Sequence, residues 1–215
     1  MKKLMLITGL SVVLFSCKDA PKADEAEATQ AQEVAATTGA TYNADLQQSK
    51  VEWVGTKPTG RHHGTIGIKE GNLAVENGAI TGGKFVMDMT TVQADDQDAE
   101  GNTKLTGHLK SDDFFMVDKH PTSTFEITSV TAGAPADAVM KDATHTITGN
   151  LTMKDITKSI TFPAKVAMTD ANIAADAEFN IDRTQWNIVY QSDKSVQNKF
   201  ISHEVNIKLH LVANK

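Results

Sequence analysis

The strictest constraint on the fold is an alternation of apolar and polar residues near the C-terminus. Every second residue from Val205 to Leu211 is apolar, and the residues between them are polar. A period of two places the two kinds of side chain on opposite faces of a β-strand. Similar apolar and polar alternation recurs in segments 85–89, 122–130, 160–166 and 175–182. The sequence therefore predicts eight to ten strands, with very little helical periodicity.

Glycine residues separate most of these segments at the spacing of hairpins. Short strands at regular spacing are typical of an all-β barrel or sandwich. Closure into a barrel would remove the exposed edges that an open sheet must protect. With about eight strands, the interior of a barrel is filled by side chains or holds one slender ligand.

One stretch departs from the strand pattern. Residues 103–111 show no alternation and predict a short helix, which leads into the pair Phe114 and Phe115. Pro121 ends this stretch, and a strand is predicted from Thr122 onward. A helical turn with two aromatic side chains is expected where a crossover closes a barrel, although an ordinary core turn fits the spacing equally well.

The N-terminus has the features of a signal peptide. Residues 1–16 contain two lysines followed by an apolar run of about a dozen residues, which is too short to span a membrane. Residues 14–17, L-F-S-C, resemble the lipobox of bacterial lipoproteins, in which the signal is cleaved before a cysteine that is then acylated. Cys17 is the only cysteine in the sequence, so its lipidation leaves no thiol for catalysis or a disulfide. The alternative is a leftover free cysteine.

Charge and composition characterise the chain that follows the predicted signal peptide. Cleavage removes two of the 21 basic residues and none of the 27 acidic ones, so the net charge moves from −6 to −8. An acidic domain repels phosphate backbones, which argues against nucleic acid as a partner. Residues 17–41, a lipidated cysteine and a polar segment without aromatic residues, predict a disordered tether. The folded domain is predicted over residues 42–215.

Seven short motifs, in order, resemble the YceI-like family. They are W-x-G-T-K (53–57), H-H-G-T-I (62–66), G-G-x-F-x-M-D-M (82–89), L-x-G-H-L-K-S-x-D-F-F (105–115), K-H-P-T-S-T-F (119–125), H-T-I-T-G-N-L (145–151) and D-R-T-x-W-N (182–187). The resemblance runs from about residue 42 to the C-terminus. It implies an eight-stranded antiparallel lipocalin-like barrel with a short helical plug, exported to the periplasm. It also implies a long apolar cavity for a polyisoprenoid or similar long-chain lipid, and no catalytic activity.

The lipobox and tether depart from the soluble periplasmic form that is common in that family. They imply a member that is anchored through Cys17 to a membrane of the cell envelope, facing the periplasm or the cell surface. The sequence does not predict which membrane this is, nor the oligomeric state.

An isoprenoid or acyl chain needs a deep tunnel of aromatic and flexible apolar side chains, and methionine adapts well to such ligands. The candidates for this wall are Trp53, Phe85, Met87, Met89, Phe114, Phe115, Phe125, Phe162, Phe179 and Trp186. Periodicity does not show which face of each strand points inward. A solid core built from the same residues is the alternative.

The polar end of such a lipid needs polar groups at the mouth of the tunnel. The head-group candidates are Arg183, His62, His108 and Asp88. Arg183 could bind a phosphate through its two-pronged guanidinium, or it could pair with Asp182 to hold a turn. The histidines lack metal-ligand spacing and no cysteine remains, so neither a metal nor another cofactor is expected.

Three functions remain open at this point. The first is a lipid-binding carrier or store. The second is an enzyme that acts on a lipid-like substrate through His108 with Asp88 or Asp113 as a general base. The third is a structural or stress-response envelope protein with a packed barrel. The sequence has no G-x-S-x-G motif and no glycine-rich phosphate loop, which favours the first.

Overall fold

The computed structural model describes residues 20–195 and 199–215. Its elements in chain order are β1 (Asp24–Glu25), β2 (Thr29–Gln30), β3 (Ala40–Ala44), β4 (Lys50–Lys57), β5 (Gly60–Glu76), β6 (Ala79–Ala94), α1 (Ala99–Lys110), β7 (Thr122–Ala132), β8 (His145–Met153), β9 (Ile156–Met168), β10 (Asn172–Asp182), a 3₁₀ turn (Arg183–Trp186) and β11 (Glu204–Asn214). The predicted signal peptide, residues 1–16, and the predicted lipidation site Cys17 lie outside the described residues.

Strands β4 to β11 form a closed antiparallel barrel of eight strands. Each strand pairs with the next along the chain, and β11 returns to pair with β4. Because β4 is short, β3 takes over its position at one end of the barrel and pairs there with β5 and β11. The predicted all-β, eight-stranded lipocalin-like barrel is therefore confirmed.

Alternation decides which side chains enter the barrel. On β10, for example, Ala177, Phe179 and Ile181 are buried in the main apolar cluster. The hairpin between β5 and β6 turns through Asn77 and Gly78, which have φ angles of 51° and 77°. Two successive residues with positive φ form the kind of turn that matches the right-handed twist of the strands.

The helix begins earlier than the sequence predicted. Helix α1 starts at Ala99 rather than near residue 103, because the Asp98 side chain accepts a hydrogen bond from the Gly101 N–H and caps the first turn. Its Leu109 packs with Phe114 and Trp53 in a second apolar cluster at one end of the barrel. No helix in the two described ranges is long and apolar enough to cross a membrane.

Residues 20–41 differ from the predicted disordered tether. They run along the barrel, with β1 parallel to β10 and β2 antiparallel to β9. Ala26 is only 2% exposed, and both the N–H and the C=O of Gln32 bind the side-chain amide of Asn150. Composition misled here because the segment needs no core of its own. It is ordered by its pairing with β9 and β10 and by hydrogen bonds to polar side chains of the barrel.

Candidate functional site

An apolar cavity of about 160 Å³ lies inside the barrel. Every side chain that lines it is apolar except Ser123. Five of the ten predicted wall residues line it, and they are Phe85, Met87, Phe125, Phe162 and Phe179. The rings of Phe162 and Phe179 stack with their centroids 4.1 Å apart and their planes at 12°. This cavity can hold only an apolar group, because its wall offers a single hydroxyl to a polar one.

Two glycines make room for the aromatic wall. A Cβ atom on Gly71 would lie 2.2 Å from the Phe85 ring, and one on Gly149 would lie 2.4 Å from the Phe125 ring. Both distances are far shorter than a van der Waals contact, so any side chain at these positions would push the rings away. The positions of Phe85 and Phe125 therefore depend on glycine in the neighbouring strands.

A second cavity, of about 380 Å³, lies at the end of the barrel that α1 covers, and is here called the mouth cavity. Four more predicted wall residues line it: Trp53, Met89, Phe114 and Phe115. The residues that line both cavities are Ile66, Ser123, Met153, Ile181 and Ile207. The two cavities are therefore adjacent, with these five residues between them, and are here together called the apolar path. The mouth cavity is the more polar of the two.

Trp186, the tenth predicted wall residue, lines neither cavity. Its side chain is fully buried, and its indole N–H donates a hydrogen bond of 3.0 Å to the backbone C=O of Leu151. The residue belongs to the 3₁₀ turn, which packs its ring against the barrel wall instead of aiming it inside. Its contacts are those of a packing residue.

Arg183 borders the mouth cavity, but four of the five N–H groups of its guanidinium already bind protein carbonyls. It is 4% exposed and donates these four hydrogen bonds to the backbone carbonyls of Ile188, Tyr190, Ile201 and Ser202. Burial lowers the pKa of Arg183 from its ordinary value, while the neighbouring carboxylate of the preceding residue opposes this. Arg183 therefore joins the 3₁₀ turn to the segment before β11, and it cannot offer a phosphate a pair of free donors.

Asp182 does not form the pair with Arg183 that the sequence suggested as an alternative. Its side chain accepts hydrogen bonds from the backbone N–H and the hydroxyl of Thr184, and so caps the 3₁₀ turn. Burial acts to raise the pKa of Asp182, but the bonds from Thr184 and Gln185 outweigh it and lower the pKa.

Of the other head-group candidates, His62 lines the mouth cavity and Asp88 does not. His62 Nδ1 lies 3.0 Å from a carboxylate oxygen of Asp96. Asp88 instead accepts hydrogen bonds from the N–H and hydroxyl of Thr90, within its own strand. Asp88 thus supports a bend in β6 and has no contact with the path through the barrel.

His108 also lines the mouth cavity, and its Nε2 lies 2.9 Å from a carboxylate oxygen of Asp113. The pair is partly exposed, with 37% and 52% of the two side chains accessible. The imidazole packs edge-on against the rings of Phe114 and Tyr190. These contacts fasten α1 to the segment that follows it. The described ranges contain no group of three His, Cys, Asp or Glu side chains that could hold a metal.

Two polar groups at the mouth escaped the sequence analysis. Within the described ranges, the indole N–H of Trp53 and the hydroxyl of Thr56 are buried and have no hydrogen-bond partner. The two residues are 8% and 2% exposed, and both line the mouth cavity. A buried polar group without a partner is destabilising by about 1–3 kcal/mol, so such groups are common where a ligand supplies the missing partner. The sequence does not show which atoms are neighbours, so the missing hydrogen-bond partners are visible only in the three-dimensional structure.

The eight closed strands and the covering helix define a lipocalin-like barrel. Residues 42–213 match the YceI-like domain, which covers most of the chain. The chain therefore belongs to the YceI-like family, as the motifs indicated.

Two related sequences are UPF0312 proteins. That of Pseudomonas aeruginosa is 48% identical over 60 residues, which make up 27% of each protein. That of Azotobacter vinelandii is 30% identical over 103 residues, or 48% of each protein. The matched region thus spans from about a quarter to half of the length of these relatives.

Three solved structures share the fold. BcnA of Burkholderia cenocepacia is 23% identical, with a TM-score of 0.56 over 80% of this chain and 99% of its own. A polyisoprenoid binding domain from Saccharophagus degradans, implicated in plant cell wall breakdown, is 14% identical, with a TM-score of 0.58 over 80% of this chain and 97% of its own. The YceI protein of Campylobacter jejuni is 13% identical, with a TM-score of 0.51 over 100% of this chain and 99% of its own. At these identities the likeness is one of fold.

Proposed function

We propose that this protein binds a polyisoprenoid or other long-chain lipid inside its barrel and stores or carries it in the cell envelope. The observation that carries the proposal is the pair of adjacent cavities, of which the inner one is lined by apolar side chains and Ser123 alone. Membership of the YceI-like family and the polyisoprenoid binding described for the Saccharophagus domain support it.

Tail burial supplies the affinity. Removing a chain from water is favourable by about 0.8 kcal/mol per CH₂ group, so a long tail needs few polar contacts. A dry cavity of about 150 Å³ holds a molecule of benzene size, and the inner cavity is of that size in the absence of a ligand. A long tail must therefore occupy both cavities and move some side chains, and the methionines in the wall adapt to this at low cost.

The mouth favours an uncharged head group with a hydrogen-bond acceptor. The Trp53 N–H and the Thr56 hydroxyl can both donate to a carbonyl, ester or hydroxyl oxygen. Four of the five N–H groups of Arg183 are already bound to backbone carbonyls, and Lys57 is the other basic residue besides histidine that lines the mouth cavity among the described residues. A neutral head satisfies the two orphaned groups without requiring a phosphate site.

The proposal also places the protein at a membrane. The lipobox sequence at residues 14–17 supports acylation of Cys17, which would hold the barrel at a membrane surface of the cell envelope. The intact mass of the protein purified from its own host tests this. It should correspond to a chain that begins at Cys17 and carries an acylated lipid group, whereas a mass that includes residues 1–16 would contradict it.

A substitution that fills the inner cavity tests lipid binding directly. Ala177 is 3% exposed and lines the inner cavity, so Ala177→Met should reduce the amount of lipid retained by at least about tenfold while the barrel stays folded. Ala167→Met, at an exposed position of the neighbouring strand β9, is the matched control and should retain lipid normally. Equal retention by both variants would contradict the proposal.

A further inference from the structure

Strands β9 and β10 pair with each other over only part of their length. Residues 165–168 pair with 173–176, and the pairing then stops. Beyond that point, residues 179–180 of β10 pair with β1, and residues 158–159 of β9 pair with β2. The gap between the two strands, here called the seam, is thus filled by residues 20–32, here called the N-terminal strap. The strap completes a wall that the eight barrel strands leave partly open.

The seam lies against the inner cavity. Phe162 on β9 and Phe179 on β10 both line that cavity, and their rings stack across the seam. Ala26 of the strap belongs to the same apolar cluster as these two rings. On this side of the barrel, the ligand path is therefore bounded by one stacked pair of side chains and by the strap.

Polar contacts dominate the attachment of the strap. The Asn180 side chain donates to the Pro21 carbonyl and the Glu25 carboxylate, and Asn150 binds the backbone of Gln32 from both sides. Asn150 and Asn180 alternate with inward-facing residues of their strands, so they point away from the cavity. When the strap leaves, they meet water and are satisfied by it.

Little apolar surface opposes this release. Ala26 is the one apolar strap residue that is fully buried, and alanine carries a single methyl group. Ser159 of β9, which is paired with the strap, has a buried hydroxyl without a partner among the described residues. Attachment through polar contacts, two short backbone pairings and the methyl groups of Ala26 and Ala28 is typical of a segment that opens locally before the rest of the fold.

We propose that the seam is a lateral portal for the long-chain ligand and that the N-terminal strap is its detachable cover. This inference rests on the proposed function. The strap begins three residues after Cys17, and such a link spans at most ~11 Å. An acylated Cys17 would therefore hold the seam close to the membrane surface, where a tail can pass from the bilayer into the barrel sideways.

Two variants of the full chain, both carrying Cys17→Ser, move the strap in opposite directions. Gln30→Cys with Lys158→Cys places two thiols at directly paired positions of β2 and β9, where a disulfide locks the strap in place. Ala26→Glu puts a charge at the buried position and detaches the strap. Ala31→Glu adds the same charge at an exposed strap position and is the matched control.

The measurement is the rate at which each protein takes up a pyrene-labelled hexadecanol, a long chain with an uncharged head group, from phosphatidylcholine vesicles. The locked protein should take it up at least tenfold more slowly than its own reduced form. Ala26→Glu should be at least threefold faster than the chain that carries Cys17→Ser alone, and Ala31→Glu should take up the probe at the same rate as that chain. The final amount bound should be the same in all five proteins, because the strap affects the route and not the cavity.

Hydrogen exchange of the ligand-free chain supplies an independent test. The amides of residues 24–30 should exchange together and earlier than those of β7, β8 and β11. Uptake at the same rate in the locked and reduced forms, or exchange of the strap only with the whole barrel, would overturn the portal and leave the proposed function intact. Absence of uptake by the unmodified chain would overturn both.

Discussion

At the scale of single residues, the mouth cavity is distinguished by which polar atoms have partners. Arg183 has four carbonyl partners, whereas the Trp53 N–H and the Thr56 hydroxyl have none among the described residues. The first arrangement is that of a structural group, and the second leaves two donors for the proposed head group. The sequence shows the residue types but not which of their atoms have partners, so it offered Arg183 as a head-group candidate and not Thr56.

Replacing Thr56 by valine separates folding from binding. The change keeps the shape of the side chain and removes a buried hydroxyl without a partner, so the free energy of unfolding should stay the same or rise by up to ~1 kcal/mol. The affinity for a lipid with an acceptor head group should fall about five- to tenfold, since one hydrogen bond is lost. Urea unfolding and lipid titration measure the two effects. Thr56→Ser keeps the hydroxyl and should bind normally, and a valine variant that is less stable yet binds equally well would contradict the assignment.

Arg183 should behave in the opposite way. Lysine keeps the positive charge but cannot reach four carbonyl oxygens from fixed directions, so Arg183→Lys should lower the free energy of unfolding by ~3 kcal/mol or more. Thermal unfolding measures this directly. A stable Arg183→Lys barrel that no longer binds lipid would instead return Arg183 to the head-group role.

At the scale of elements, the 3₁₀ turn shows how a short structure gains a dependence on pH. Hydrogen bonds from Thr184 and Gln185 overcome the effect of burial and lower the pKa of Asp182 below its ordinary value of 3.8. A carboxylate with a lowered folded pKa stabilises the protein above its unfolded pKa, and this contribution disappears as the pH falls through the folded value. Acid should therefore weaken the capping of this turn.

Asp182→Ala tests the cap. At neutral pH the variant should be less stable than the unmodified protein by ~1 kcal/mol, and this difference should shrink as the pH falls below the ordinary carboxyl range. Urea unfolding at a series of pH values measures it. Asp182→Asn is the control, because asparagine caps equally well but does not titrate. A difference between alanine and wild type that is constant with pH would refute the explanation.

The glycines in the strands make a second prediction at this scale. In Gly149→Ala the new methyl group would lie 2.4 Å from the Phe125 ring and 2.8 Å from a backbone oxygen of Glu126. The strand must shift, so we expect a loss of ~1–3 kcal/mol of stability and a displaced Phe125 ring in the cavity. Gly107→Ala, in α1 where nothing lies within 4 Å, should instead stabilise by up to ~1 kcal/mol. Calorimetry measures the change in stability of each variant. A Gly149→Ala variant as stable as the unmodified protein would contradict the packing described for Phe125.

The elements also show how far the sequence predicts this molecule. The alternation of apolar and polar residues identified β7, β10 and β11, because one face of each strand points into the apolar interior and the other points outward. It could not place the start of α1, which depends on a hydrogen bond from Asp98. It also missed the strap, since a segment that pairs with the edges of another part of the chain carries no periodic signal of its own. The aromatic wall was predicted by residue type, whereas its division into two cavities depends on packing in three dimensions.

At the scale of the whole molecule, closure explains the arrangement of the ligand path. Eight strands leave a narrow interior, and the aromatic and methionine side chains fill it only in part. The helix covers one end of the barrel and the strap covers one side, so the apolar path is shielded from water when no ligand is bound. The interior is apolar in its inner part and more polar at the mouth, as the proposed lipid ligand requires.

Native mass spectrometry with organic extraction tests this account most directly. The full chain is purified without detergent from its own host and weighed intact, and the extract is then identified. We predict one long-chain lipid per barrel, with an uncharged head group, lost from the Ala177→Met variant and retained by Ala167→Met. A barrel that carries no lipid, and that takes up none after incubation with isoprenoid quinones, prenols and prenyl phosphates, would contradict the central claim.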